Sequence, residues 1–167
     1  MPINSGYREF ELEHILSDAG AETIVTMNDL LPYVRNIKEK TRLKNIAVTA
    51  ISDYFPANPS IKVSKMPELS TVEPGEEYEI FKEIMEHYPA APVEVKVDLD
   101  DIYNISFTSG TTGLPKGAML TFRNAIYKAA ARFQHYFSYL NFKDEDIQLI
   151  DTPIDHIAGI LRVNFDL

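Results

Sequence analysis

Thr23–Ile51 reads TIVTMNDLLPYVRNIKEKTRLKNIAVTAI. Its two ends, Thr23 to Met27 and Asn45 to Ile51, are short runs rich in β-branched and apolar residues, which predict strands. Between them Leu30, Leu31, Val34 and Ile37 recur at helical spacing, with Asn28 or Asp29 available as the cap. Strand, helix, strand over so short a span is the pattern of a βαβ unit, which implies parallel pairing and a right-handed crossover. The fold predicted is therefore α/β, built of βαβ units with a mostly parallel sheet flanked by helices.

Upstream, Glu9 to Ser17 reads as a helix that gathers Phe10, Leu12, Ile15 and Leu16 on one side and stops at Asp18-Ala19-Gly20. Downstream, six of the ten prolines fall between Pro56 and Pro92, so that stretch is predicted to be irregular and edge-like. One helix interrupts it. It follows the Pro74-Gly75 turn, lines Tyr78, Phe81, Met85 and Tyr88 along one face, and ends at Pro89. Asp98, Asp100 and Asp101 are read as a solvated acidic turn in preference to a metal site. Ile102 to Phe107 then forms a strand, a glycine-rich loop follows, and Ala118 to Leu120 is a second brief strand. Thr121 caps a long helix with an apolar stripe of Phe122, Ile126, Ala130, Phe133 and Phe137, taken as core. Ile147 to Ile150 is predicted as a buried strand. After Pro153, Ile154 to Ile160 turns at that strand's carboxyl end, where open α/β sheets commonly place ligands.

The 167 residues suffice for one domain, and a 45% hydrophobic, 25% charged composition is that of ordinary globular proteins. No run approaches the roughly 18 apolar residues of a membrane helix, and Met1 to Phe10 has no basic segment followed by an apolar one. A cytoplasmic protein without a transmembrane segment is expected. Without cysteine there is no disulfide framework, thiolate nucleophile or Cys-based metal site, and the four histidines are scattered. A net charge of −9 argues against a general nucleic-acid binder, so any anion site must be local.

Such a site is offered by Thr108-Ser109-Gly110-Thr111-Thr112-Gly113-Leu114-Pro115-Lys116-Gly117. Three of the seven glycines lie here, interleaved with four hydroxyls. Glycine admits positive φ and leaves room for consecutive backbone amides to curl around an anion. The hydroxyls of Thr108, Ser109, Thr111 and Thr112 can donate to phosphate oxygens or ligate a hydrated Mg²⁺. Lys116 adds a mobile charge, worth roughly 4 kcal/mol at about 4 Å and an effective dielectric near 20, before desolvation. The order of residues is not the Walker one, where glycine is followed directly by lysine and then Ser or Thr, and it is no dinucleotide fingerprint.

The decapeptide resembles the signature of the AMP-forming adenylating enzymes: acyl-CoA synthetases, aryl-CoA ligases, luciferases and peptide-synthetase adenylation domains. Two further stretches extend the likeness. Tyr7 to Val25, with Glu11-Leu12, His14-Ile15-Leu16 and Ala19-Gly20-Ala21-Glu22, is similar to a helix-strand stretch of fatty-acyl and aryl-CoA ligases. Pro153-Ile154-Asp155-His156-Ile157-Ala158-Gly159 looks like the segment bordering the acyl pocket, although Asp155 departs from the aromatic or small residue usual there.

The resemblance implies a long-chain-fatty-acid-CoA ligase that activates a carboxylic acid with ATP as acyl-AMP and passes the acyl group to coenzyme A. It further implies that Thr108, Ser109, Gly110, Thr111, Thr112, Gly113, Lys116 and Gly117 hold the β and γ phosphates, that Thr111 contacts Mg²⁺, and that His156 lies beside the acyl substrate. A packing or capping role is the alternative for His156. Because family members are several times longer, residues 1–167 are expected to form one incomplete domain: a βαβ-like segment at 1–52, a Pro-rich connection at 53–100, and the phosphate loop and acyl-pocket segment at 101–167. A Tyr-Gly-Thr-Glu segment, a ribose-binding Asp and a catalytic lysine on a small C-terminal domain are expected beyond Leu167. The chain alone is then expected to be inactive and to self-associate through exposed apolar surface. Other readings stay open: another adenylating enzyme such as an aryl-CoA ligase or a peptide-synthetase adenylation domain, a free-standing nucleotide or phosphate module without catalysis, or a purely structural domain that kept the loop.

Overall fold

The computed structural model describes residues 1–56, 71–108, 113–139, 147, 149 and 152–160, with backbone alone over 136–139. Two compact units emerge, Tyr7–Val93 and Glu94–Leu167 together with Met1–Gly6.

In the first unit, β1 (Thr23–Met27) and β2 (Asn45–Thr49) pair in parallel from Thr23 opposite Asn45 to Met27 opposite Thr49, joined through α2 (Leu31–Ile37) and a 3₁₀ turn at Lys38–Lys40. A two-residue β3 (Glu79–Ile80) adds to the other side of β2, giving the order β1-β2-β3, all parallel. The predicted βαβ unit is thus present. Ile46, Ala47 and Val48 of β2 are all buried, as expected of a central strand covered on both faces. α1 (Glu9–Asp18) contributes Leu12, Ile15 and Leu16 to the core, and α2 contributes Leu31, Val34 and Ile37. Each such side chain stabilises the fold by about 1.5–3 kcal/mol.

Three details of this unit differ from the sequence reading. Phe10 is 70% exposed, because it lies two residues before Leu12 and so about 200° around a helix of 3.6 residues per turn from the buried face. Neither Asn28 nor Asp29 caps α2, which starts after Leu30; Asn28 Oδ1 instead accepts the Asp29 N–H at 3.0 Å. The middle helix, α3, is only Phe81–His87, so Tyr78 precedes it. Met85 and Tyr88 are exposed, and the side chains turned inward are Phe81 and Ile84.

In the second unit, β4 (Ile102–Phe107) and β5 (Gly117–Thr121) form an antiparallel hairpin, with a register irregularity between Ile102 and Asn104. α4 (Phe122–Tyr139) follows directly. Thr121 caps it as predicted: Thr121 Oγ1 accepts the Asn124 N–H at 3.3 Å, and Asn124 Oδ1 accepts the Thr121 N–H at 3.0 Å. The predicted apolar stripe is not core, since Ile126, Ala130 and Phe133 are exposed and the Phe137 side chain lies outside the described residues. Phe122, the first residue of that stripe, is half-buried, and Ala125 on the neighbouring face is buried. Of the predicted buried strand Ile147 to Ile150, Ile147 and Leu149 are exposed and carry no strand assignment, while Gln148 and Ile150 lie outside the described residues.

Candidate functional site

The hairpin decides what the glycine-rich loop can do. Phe107 pairs with Gly117 as the last rung of the ladder, and one step further Thr108 N–H donates to the Lys116 carbonyl at 3.0 Å. The Thr108 hydroxyl accepts the Lys116 N–H at 3.2 Å. These two bonds close the neck of the loop. A hydroxyl that accepts one bond retains its own O–H as a donor, so Thr108 serves the neck without losing its capacity toward an anion.

Two glycines have separable reasons. Gly113 has φ +154°, backbone that L side chains rarely adopt, and a Cβ there would meet nothing within 4 Å. Gly117 is required by close approach, since a Cβ would lie 2.9 Å from Ile105 Cγ2 and 3.0 Å from Phe107 Cζ. Pro115 between them is buried, whereas Lys116 is exposed, and no described carboxylate forms an ion pair with it. Ser109, Gly110, Thr111 and Thr112 lie outside the described residues.

Helix N-termini are common phosphate sites because their first amides lack partners. Those of α4 are already engaged. Phe122 N–H donates to the Asp101 carbonyl at 3.1 Å, Arg123 N–H to the Leu99 carbonyl at 2.8 Å, and Asn124 N–H to the Thr121 hydroxyl. β5 also separates the loop from this helix. The first three amides of α4 are thus not free to receive a phosphate.

The acidic turn has a second role that the sequence reading missed. Asp98 and Asp101 satisfy its backbone, with Asp98 N–H donating to Asp101 Oδ2 at 2.8 Å and Asp100 N–H to Asp98 Oδ1 at 3.0 Å. Asp100 reaches across to Arg123, accepting from Nε at 2.8 Å and from Nη2 at 3.1 Å. The hydrogen bond from Arg123 and then its charge hold the Asp100 carboxyl below the usual range, and Asp100 raises Arg123 in return. Arg123, two residues after the capping threonine, was the available signal. Among the described residues, no group of three His, Cys, Asp or Glu could hold a metal ion.

His156 stands apart from the loop in sequence, in a tight turn. Its N–H donates to the Pro153 carbonyl at 3.1 Å, and its Nδ1 accepts the Ala158 N–H at 3.2 Å. A Cβ at Gly159 would collide with the Pro153 carbonyl. The next residue, Ile157, lines a cleft of about 210 Å³ with Tyr103, Leu120, Asn124, Ala125 and Lys128. A larger hollow of about 290 Å³ surrounds α3 in the other unit and contains none of the residues proposed from sequence.

A parallel βαβ sheet in one unit, and in the other a hairpin whose connecting sequence is rich in glycine and hydroxyls, define an α/β protein. The sequence profile of the AMP-binding enzyme family matches residues 1–165, and the chain belongs to that family. It is 29% identical over 165 residues, 95% of its length, to a long-chain-fatty-acid–CoA ligase of Salmonella typhimurium. It is 34% identical over 83 residues, half of its length, to 4-coumarate–CoA ligase 2 of Petroselinum crispum. The chain spans 29% and 15% of these two curated relatives. Among solved structures, a long-chain-fatty-acid-CoA ligase from Archaeoglobus fulgidus superposes with a TM-score of 0.68 at 29% identity, over 98% of this chain and 27% of that one. ATP-bound MatB from Rhodopseudomonas palustris does so at 0.70 and 21% identity, over 98% of this chain and 27% of that one, a likeness of fold.

Proposed function

We propose that this chain is the phosphate-loop region of an ATP-dependent fatty-acid-CoA ligase, which activates a carboxylate as acyl-AMP and transfers it to coenzyme A. The carrying observation is the hairpin loop with its neck closed by Thr108 and Lys116, in a chain of the AMP-binding enzyme family. The 29% identity with fatty-acid ligases across nearly the whole chain supports a fatty acid as substrate.

In this reading Thr108, Ser109, Gly110, Thr111, Thr112, Gly113, Lys116 and Gly117 embrace the β and γ phosphates, Thr111 contacts Mg²⁺, and His156 faces the acid. Attack of the carboxylate oxygen on the α-phosphorus forms the acyl-phosphate bond and breaks the bond to pyrophosphate. Donors aimed at the leaving oxygens stabilise the negative charge that develops there. ATP and the acid are the expected small-molecule partners, with coenzyme A as acyl acceptor and the cytoplasm as setting. No described helix is long and apolar enough to cross a membrane.

For these 167 residues by themselves, which span 29% of such a ligase, the proposal is phosphate binding without acyl-adenylate formation. Calorimetry with ATP and with pyrophosphate tests the loop. Binding that weakens about tenfold in Lys116→Ala, as expected for loss of one charge-assisted contact, supports the assignment, and no binding of either anion sinks it. Pyrophosphate release that depends on both ATP and a fatty acid, above the level of the Lys116→Ala variant, would show the isolated chain to be active.

A further inference from the structure

Asn104 stands in the middle of β4 and is only 6% exposed, although asparagine is a poor strand former and a buried amide is costly unless hydrogen-bonded. Its Nδ2 donates to Ser106 Oγ at 2.8 Å. A hydroxyl that accepts a bond keeps its own proton to give, and no described residue accepts the Ser106 proton. Alternation along β4 puts Ser106 on the same face as Thr108, two steps below the neck where Thr108 meets Lys116. The register sets Ala118 opposite Ser106 on that face. Ala118, Thr108 and Lys116 are exposed and Ser106 is half-buried, so the small alanine leaves Ser106 in reach of solvent.

We infer that Ser106, a strand residue outside the glycine-rich loop, is a further phosphoryl-binding donor, and that buried Asn104 aims its hydroxyl. Residues two apart on a strand are separated by about 6.6 Å, a spacing that one phosphoryl group bridges with an oxygen to each hydroxyl. Ser106 and Thr108 are so placed, and the exposed Lys116 beside them supplies the charge. Asn104 acts only through Ser106 and is a positioning residue: with Oγ accepting from the amide, the hydroxyl proton is turned away from the buried side. Leucine would fill the covered position with no polar group to satisfy, so packing alone gives no reason for the amide. The irregularity of the ladder stands immediately before Asn104, and bulges commonly re-aim side chains next to functional sites.

That the phosphoryl group belongs to ATP or pyrophosphate rests on the function proposed above; the aim of the hydroxyl does not. The aim is read from the Asn104 carboxamide in ¹H–¹⁵N spectra of the 167-residue chain without ligand. One slowly exchanging Nδ2 proton is expected, quickened in Ser106→Ala; a carboxamide indifferent to that substitution overturns the aiming. The donor role is read by calorimetry with pyrophosphate. Ser106→Ala is expected to weaken binding about tenfold, as for one hydrogen bond to a charged group, while Ser106→Thr keeps the hydroxyl and the affinity. Unaltered amide exchange at Thr108 and Lys116 in Ser106→Ala shows that the neck is intact. Asn104→Leu should weaken binding several-fold on its own and add nothing in the Ser106→Ala background; additive losses overturn the positioning role of Asn104. Binding that falls in Lys116→Ala but not in Ser106→Ala removes Ser106 from the site and keeps the loop assignment. Wild-type protein that binds neither pyrophosphate nor ATP overturns both.

Discussion

Gly117 tolerates no side chain because Ile105 and Phe107 close over it from the opposite strand. Overpacking of this kind costs about 1–3 kcal/mol, so Gly117→Ala should lower the denaturant midpoint of the second unit while leaving the first unit's transition in place. Thr108→Val removes the acceptor for the Lys116 amide but not the bond from the Thr108 amide to the Lys116 carbonyl. Amide exchange at Lys116 should therefore quicken several-fold, consistent with a net hydrogen-bond worth of about 1 kcal/mol, while the Thr108 amide stays protected. The density of glycines was legible in the sequence, yet their separate reasons were not. Gly113 answers to its own φ, whereas Gly117 answers to side chains ten and twelve residues away that only the hairpin register brings close. His156 was legible as a residue of interest, with ligand contact and capping as alternatives. The capping bond is a matter of backbone direction, which residue identity alone does not supply.

The turn before β4, the hairpin and the first turn of α4 are tied by the Asp100–Arg123 pair and the Thr121–Asn124 capping box. The folded Asp100 carboxyl is depressed, so its contribution is present above the unfolded carboxylate range and fades as pH falls through the lower folded value. Arg123→Ala should raise the Asp100 midpoint toward the ordinary range in a carboxyl NMR titration, and Asp100→Asn should flatten the acid limb of the stability profile. Both partners are exposed, so added salt should shrink the effect. Thr121→Ala removes the cap and should destabilise by about 1 kcal/mol, read from amide exchange in the first turn of α4. Elements with a strong local period, such as β1, β4 and the start of α4, were predicted almost to the residue. The stripe along α4 failed because periodicity identifies an apolar face but not which neighbouring face a hairpin will cover. Ile147 and Leu149 likewise show that a short apolar run does not by itself make a buried strand.

Among the described residues most of the buried apolar side chains belong to the first unit, where Ile37 and Val48 are completely buried. Ile37→Ala should cost about 2–5 kcal/mol, a large part of the roughly 5–15 kcal/mol that holds a typical domain, and should appear as loss of amide protection in β2. The same unit carries an exposed edge. β1 lies at the end of the order β1-β2-β3, so among the described residues one side of its backbone has no strand beside it, and Thr23–Met27 contains neither charge nor proline. Val25 is 54% exposed on that strand. Edges of this kind recruit other strands unless a charge or a bulge blunts them, and the net charge of −9 opposes association only at long range and low salt. Self-association is therefore expected to run through β1 and to strengthen with salt. Val25→Lys places a charge on the edge without touching the core. Light scattering at high protein concentration should show the variant shifted toward monomer and insensitive to salt, while a variant on the exposed stripe of α4, Phe133→Lys, leaves the association intact. The reverse pattern would place the contact on α4.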